Sequence, residues 1–254
     1  MDSSGVSLTF SDQGSGPVVF LIHGITENAS AFNPLIKRLR SRFRLIALDC
    51  RGHGDSDKPI SPDAYGSNMV RDVHNLFAHL NINQAHMLGT SMGAEIALRF
   101  TIEHPEYVTK LAVIGSGWSG EKESNNYTTV GQTLKRHQSF GPWIKETGGM
   151  GYFSPDKIGI ATADSMLRGQ DIEALSSVFL GMQEIIHLSE QDINDISIPV
   201  LAICGELDEE RLCLEKMKGQ VQNLSLTVIP NKGHMDVGED PNYYTLIDQF
   251  LSKP

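Results

Sequence analysis

Ser91 stands at the centre of the pentapeptide Gly89-Thr90-Ser91-Met92-Gly93, between an apolar run and a helical pattern. A serine hydroxyl is a weak nucleophile until a neighbouring base takes its proton. The glycine spacing has a steric cause. A sharp strand-to-helix turn strains the backbone at the serine, and side chains two residues to either side would collide with it. Glycine at 89 and 93 removes that collision and lifts the hydroxyl into a cleft. There the N–H groups that open the following helix face any negative charge that forms. The plain alternative is a tight turn with a buried serine, and what decides between the two is whether a base, an acid and backbone donors lie where the turn needs them.

Of nine histidines, His234 is the candidate base. It sits in Asn231-Lys232-Gly233-His234, after the apolar run Ser225–Ile229 and before the last helical pattern. A loop at the C-terminal end of a strand is where chemistry gathers in open sheets. His53, His74, His79, His86, His104, His137 and His187 fall in turns or helical patterns and read as surface or packing residues, and His23 as structural. Asp208 closes Gly205-Glu206-Leu207-Asp208 just beyond the run Pro199–Cys204, placed to orient the imidazole and stabilise its charged form. Glu206, Glu209 and Glu121 are its rivals. A carbonyl oxygen that gains negative charge needs preorganised donors. The N–H of Met92 supplies one. The N–H of Ile25, in His23-Gly24-Ile25-Thr26, supplies the other. The expected chemistry is acyl transfer to water in two steps, with no metal and no cofactor.

The elements that must hold these residues follow a simple rhythm: a short β-branched run, a glycine-rich turn, an amphipathic helix. Expected strands are Val6–Phe10, Val18–Ile22, Phe43–Asp49, Ala85–Gly89, Leu111–Ile114, Pro199–Cys204 and Ser225–Ile229. Several are apolar throughout, as strands covered on both faces are. Gln13-Gly14-Ser15-Gly16-Pro17 is expected to join the first two as a hairpin. Met69, Val70, Val73, Leu76, Phe77 and Leu80 share one helical face. Alternating strands and helices predict an α/β fold, with a mostly parallel sheet flanked by helices.

Residues 117–193 break the rhythm, showing helical patterns and glycine-rich loops only. The clearest helix has Asp171 as N-cap and a stripe of Ile172, Leu175, Val178, Phe179, Met182, Ile185 and Ile186. The segment reads as a helical cap inserted after Leu111–Ile114, with residues 1–116 and 194–254 forming the core. A cap of this kind covers a pocket whose apolar lining sets specificity. Candidates to line it are Trp118, Trp143, Met150 and Phe153, together with Met166, Leu167 and Phe179; taken singly, each reads more readily as part of the cap's own core.

Composition narrows the partners. The 254 residues, 40% hydrophobic and 20% charged, suit one substantial core with an inserted subdomain. Lys plus Arg number 21 against 31 acidic residues, a formal charge of -10 that repels phosphate backbones. Nucleic acid is therefore not an expected partner, and a small-molecule substrate is. Cys50, Cys204 and Cys213 show no metal-ligand spacing, and Cys50 and Cys204 read as buried thiols. No apolar run approaches the length of a membrane span, and Met1-Asp2-Ser3-Ser4-Gly5 lacks a basic start and an apolar stretch. Cytoplasm is the expected location, and the protein is expected to be a monomer or homodimer.

Taken together, these residues resemble the α/β-hydrolase superfamily, in particular its small capped esterases, enol-lactonases and carbon–carbon bond hydrolases. The resemblance rests on His23-Gly24 with Phe32 downstream, on Asp49 to Ser56, and on Gly89 to Gly93. It continues through Ile198-Pro199-Val200 leading to Gly205 and Asp208, and Gly233-His234 with Glu239 and Pro241. It implies a sheet of seven or eight strands, the order Ser91, Asp208, His234 for the triad, and a cap after the sixth family strand. The first family strand has no counterpart here, and Ala94 stands where many relatives have glycine. Relatives that open epoxides or remove halides use an aspartate nucleophile, so Ser91 argues against both activities. The reading with most support is cleavage of a carboxylic ester or lactone. A second keeps the triad and cleaves a carbon–carbon bond in a vinylogous diketone acid; a cap cation such as Arg168 or Lys145 is placed to meet its carboxylate, though both read better as solvated surface charges. A third is a catalytically silent ligand receptor on the same fold.

Overall fold

The computed structural model describes residues 1–120 and 126–253. Short apolar runs alternate with helices, and the strands assemble because their side chains are buried on both faces. Two short strands, β1 (Asp2–Ser3) and β2 (Val6–Ser7), pair with each other. The main sheet contains β3 (Phe10–Gly14), β4 (Val18–Ile22), β5 (Arg44–Leu48), β6 (Ala85–Thr90), β7 (Val108–Ile114), β8 (Val200–Gly205) and β9 (Leu224–Ile229). Its order is β3-β5-β4-β6-β7-β8-β9, with β3 antiparallel to β5 and the other six strands parallel.

Helices cover both faces. α1 (Asn33–Leu39) and α10 (Tyr243–Ser252) pack Leu35, Ile36, Ile247 and Leu251 against one side. On the other lie α2 (Ser67–His79), α3 (Met92–Glu103) and α9 (Arg211–Lys218). The stripe predicted on α2 is the face it buries: Met69, Val70, Val73, Leu76 and Phe77 are all within the core.

Between β7 and β8 the chain leaves the sheet and forms α4 (Asn126–His137), α5 (Gly141–Thr147), α6 (Lys157–Ser165), α7 (Ile172–Ile186) and α8 (Glu190–Asn194). Asp171 caps α7 by accepting from the Ala174 N–H at 3.0 Å, as its position predicts. Phe140, Trp143, Ile144, Leu167, Leu175 and Phe179 form an apolar cluster within this insertion. Side-chain bonds tie it to the sheet domain: Arg99 donates to the Glu184 carbonyl at 2.9 Å, and Ser177 to that of Ile60 at 2.6 Å.

One expectation fails at the first edge. Val6–Phe10 is not a single strand, and β3 and β4 do not form a hairpin, because β5 lies between them. Gly14 and Gly16 have φ of +88° and +116°, and the chain there runs hard against the Arg42 and Phe43 carbonyls. A side chain at either position would collide with that backbone, so the glycines let the chain reverse while crossing close over the start of β5, which separates β3 from β4.

The site-bearing turn depends on a similar close approach. A Cβ at Gly93 would overlap the Ile22 carbonyl at the end of β4 and stand 2.7 Å from that of His23. Gly93→Ala is expected to destabilise the protein by about 1–3 kcal/mol, through forced backbone shifts. Gly219→Ala, whose nearest neighbour would be 3.8 Å away, should stay within about 0.5 kcal/mol. Urea unfolding of the two variants beside the parent checks both.

Candidate active site

Ser91 occupies the turn between β6 and α3 with φ 51° and ψ -119°, a conformation costly for a residue with a side chain. The strain is held from both sides. The Ser91 N–H donates to the Ile114 carbonyl on β7 at 2.8 Å, and a Cβ at Gly89 would overlap the Gly93 carbonyl. Met92, fully buried, is the first residue of α3, so its N–H has no carbonyl one turn earlier in the helix to pair with.

Asp208 lies just beyond β8 and is 3% exposed. His234 lies beyond β9. Backbone contacts lock the two loops together: Leu207 N–H donates to the Lys232 carbonyl at 2.8 Å, and Asn231 N–H to the Glu206 carboxylate at 3.0 Å. The result is a continuous chain of polar contacts. His234 Nε2 is 3.0 Å from Ser91 Oγ, and its Nδ1 is 3.1 and 3.2 Å from the two Asp208 oxygens. Gly115, at the end of β7 with φ +71°, lets the imidazole sit close, since a Cβ there would be 3.2 Å from His234 Cε1. Of the rival carboxylates, Glu206 and Glu209 are exposed and do not touch the imidazole, and Glu121 lies outside the described residues.

The loop after β4 approaches from the other side. A Cβ at Gly24 would be 3.4 Å from Ser91 Cβ, and Ile25 lines the same cavity. His23 braces the loop. Its Nε2 accepts from Cys50 N–H at 3.0 Å, so its proton sits on Nδ1, which donates to the Gly24 carbonyl at 2.7 Å. Burial lowers His23 to about 4 and its neighbour His53 to about 3, so both are neutral at neutral pH. Asp49 fastens the neighbouring loop by accepting from the N–H groups of Ala29 and Asp55 at 2.7 and 2.9 Å.

These residues open into a cavity of about 960 Å³ roofed by the insertion. Among the side chains predicted to line it, Trp143, Phe153, Met166 and Phe179 do so. Trp118 does not: it is buried in the core below, and its indole N–H donates to the Leu188 carbonyl at 2.9 Å. Leu167 also points elsewhere, into the insertion's apolar cluster. The Met150 side chain lies outside the described residues. Lys145 and Arg168 are exposed and take no part in the lining.

Sequence reasoning missed the polar wall. Glu95, one turn after Ser91 on α3, is buried and receives hydrogen bonds from Ser116 at 2.9 Å and Tyr127 at 2.6 Å. Burial pushes its carboxyl up to about 8. Glu210 is likewise raised by burial. Position i+4 from Ser91, on a helix whose other neighbours are apolar, was the available signal for Glu95. Among the described residues, no cluster of His, Cys, Asp or Glu is placed to hold a metal ion, and no helix is long and apolar enough to cross a membrane.

The chain belongs to the alpha/beta hydrolase fold family, whose model matches residues 17–147. It is an enzyme, a hydrolase of that fold. A Bacillus subtilis (strain 168) protein assigned as a 2-succinyl-6-hydroxy-2,4-cyclohexadiene-1-carboxylate synthase is 25% identical, over 98% of this chain and 96% of its own length. The 2-(acetamidomethylene)succinate hydrolase of Mesorhizobium japonicum (strain LMG 29417 / CECT 9101 / MAFF 303099) is 36% identical over 45% of this chain, spanning 41% of that protein. The crystal structure of a hydrolase from Pseudomonas aeruginosa PA01 superposes with a TM-score of 0.82 at 21% identity, covering 99% of this chain and 97% of the other.

The buried Glu95 sets a pH dependence. Its folded-state value lies above the ordinary 4.5, so its contribution to stability is complete below about pH 4.5 and is lost as pH rises through about 8. Glu95→Gln keeps an acceptor for Tyr127 and cannot ionise. Relative to this variant, the parent should lose stability between those limits by on the order of a few kcal/mol. Urea unfolding at stepped pH reads the difference; parallel curves would show that the carboxyl ionises freely in the fold.

Proposed function

We propose that the protein is a serine hydrolase that cleaves a small-molecule carboxylic ester or lactone through an acyl-enzyme on Ser91. The observation that carries this reading is the hydrogen-bonded line from Ser91 Oγ through His234 to Asp208, at 3.0 and 3.1 Å. In the first step His234 Nε2 takes the Ser91 proton as Oγ attacks the carbonyl carbon. Asp208, bonded to Nδ1, holds the tautomer and stabilises the imidazolium. The N–H groups of Ile25 and Met92 hold the oxyanion. The imidazolium then protonates the leaving alcohol, and a water activated by the same base releases the acid.

The helices between β7 and β8 act as the cap, and Trp143, Phe153, Met166 and Phe179 form its apolar roof over the acyl group. The walls favour an uncharged substrate over an acid. Glu95 and Glu210 are already held toward their neutral forms by burial. The cations at the rim are engaged elsewhere: Arg211 with the Glu206 carbonyl and Glu215, Lys216 with the Ser119 carbonyl. Among the described residues, a substrate carboxylate would find no unengaged cation in this wall, a cost of several kcal/mol. This counts against a diketone acid, and against the carboxylate-bearing compounds named for the two sequence relatives.

Ser91→Ala is expected to lower kcat/KM on a short p-nitrophenyl ester by at least about 10³-fold. A fluorophosphonate probe should label the parent at Ser91 and leave the variant unlabelled. A variant that turns over the ester at the parental rate would refute the nucleophile. A parent that resists the probe would point to the silent receptor instead.

A further inference from the structure

Tyr152 presents its ring to the base. The Tyr152 and His234 ring centroids are 4.6 Å apart with an interplanar angle of 22°, a stacked pair. The edges of the imidazole are already held, by Asp208 on Nδ1 and Ser91 on Nε2. What those bonds leave free is tilt of the ring out of their common plane, and a second ring laid on its face opposes that tilt.

The placement of Tyr152 is specific. Both Tyr152 and Phe153 line the cavity, but Phe153 packs against the insertion's apolar cluster whereas Tyr152 turns to the imidazole. The segment that delivers it is Gly148-Gly149-Met150-Gly151, with φ of +77°, +63° and +69° at its three glycines. A Cβ at Gly151 would stand 2.7 Å from Glu209 Oε1, so the chain passes close over the turn that follows Asp208. The carboxyl of Glu210 lies in the electrostatic reach of the Tyr152 hydroxyl, and the Glu210 N–H donates to Asp208 Oδ1 at 3.0 Å. Tyr152, from the insertion, thus meets His234; Asp208 holds that imidazole, and the Asp208 carboxylate is in turn held by the Glu210 N–H.

We infer that Tyr152 is a positioning residue for the base: the insertion completes the site by stacking this ring on His234, holding the imidazole in line and offering a π face to the imidazolium that forms during turnover. The inference rests on the triad reading above. An exposed imidazole would have to find its orientation at every cycle. Here that search is restricted before substrate arrives.

The test uses the full chain with Phe, Leu or Ala at position 152. Tyr152→Phe keeps the stack and should hold kcat within about threefold of the parent. Tyr152→Leu and Tyr152→Ala should lose about 10- to 100-fold in kcat, with KM moved by less than about threefold. Should Tyr152→Ala fail to fold by thermal melting, the Leu variant decides. In a Ser91→Ala background, the His234 Cε1 proton should resonate upfield by the ring current with Tyr or Phe at 152, and move back with Leu. A Leu variant with parental kcat, a loss confined to KM, or a resonance indifferent to residue 152 would overturn the inference. The Ser91→Ala activity separates the two readings. If that variant keeps full turnover the nucleophile is wrong, while the resonance still reports on the stack.

Discussion

Beneath Ser91 three stretches of backbone come together almost without side chains: the end of β4, the turn after β6 and the first turn of α3. Gly89 packs on Gly93, and Gly93 on the Ile22 and His23 carbonyls. This contact forces Ser91 into its positive-φ conformation and brings the Gly24 loop within reach of its side chain. A strained residue survives only where its surroundings over-determine it. Here the bond to the Ile114 carbonyl and the glycine contacts do so together. The hydroxyl is therefore presented by rigid secondary structure, with the opening N–H groups of α3 already beside it.

The rest of the site is attached to that point by neighbouring strand ends. β7 contributes Gly115 as an open face for the imidazole, β8 leads to Asp208 and β9 to His234. Because β6, β7, β8 and β9 are consecutive in the parallel sheet, their C-terminal ends lie side by side. Residues separated by 143 positions then meet at 3.0 Å. The insertion reaches the site through Tyr152 on His234, through Tyr127 on Glu95 and, in the loop after β4, through Gln170, which donates to the Thr26 carbonyl.

Much of this was legible in the amino-acid order. Ser91, Asp208 and His234 each follow an apolar run, and parallel strands leave little choice about which end they share. The stripe on α7 and its Asp171 cap were equally plain, because helical periodicity is local. What stayed hidden depends on long-range packing. The crossing of Gly14 and Gly16 over Arg42 and Phe43 looks like a hairpin turn in sequence, since both uses need positive φ. Trp118 and Leu167 carry the same apolar signal as Trp143 and Phe179, and only the fold decides which face the cavity. Glu95 and Tyr127 are 32 positions apart and ordinary in type, so nothing local marks them as a buried pair.

The acid-rich lining bears on the end of the reaction as well as its beginning. On the proposed ester reading, hydrolysis turns a neutral ligand into an anion inside the cavity, among the side chains of Glu27, Glu206, Asp208 and Glu209. An anion generated among carboxylates is pushed toward solvent by the protein's own field. On that reading the walls favour departure of the spent acyl group, and acid accumulating in the medium would do little to occupy the site again.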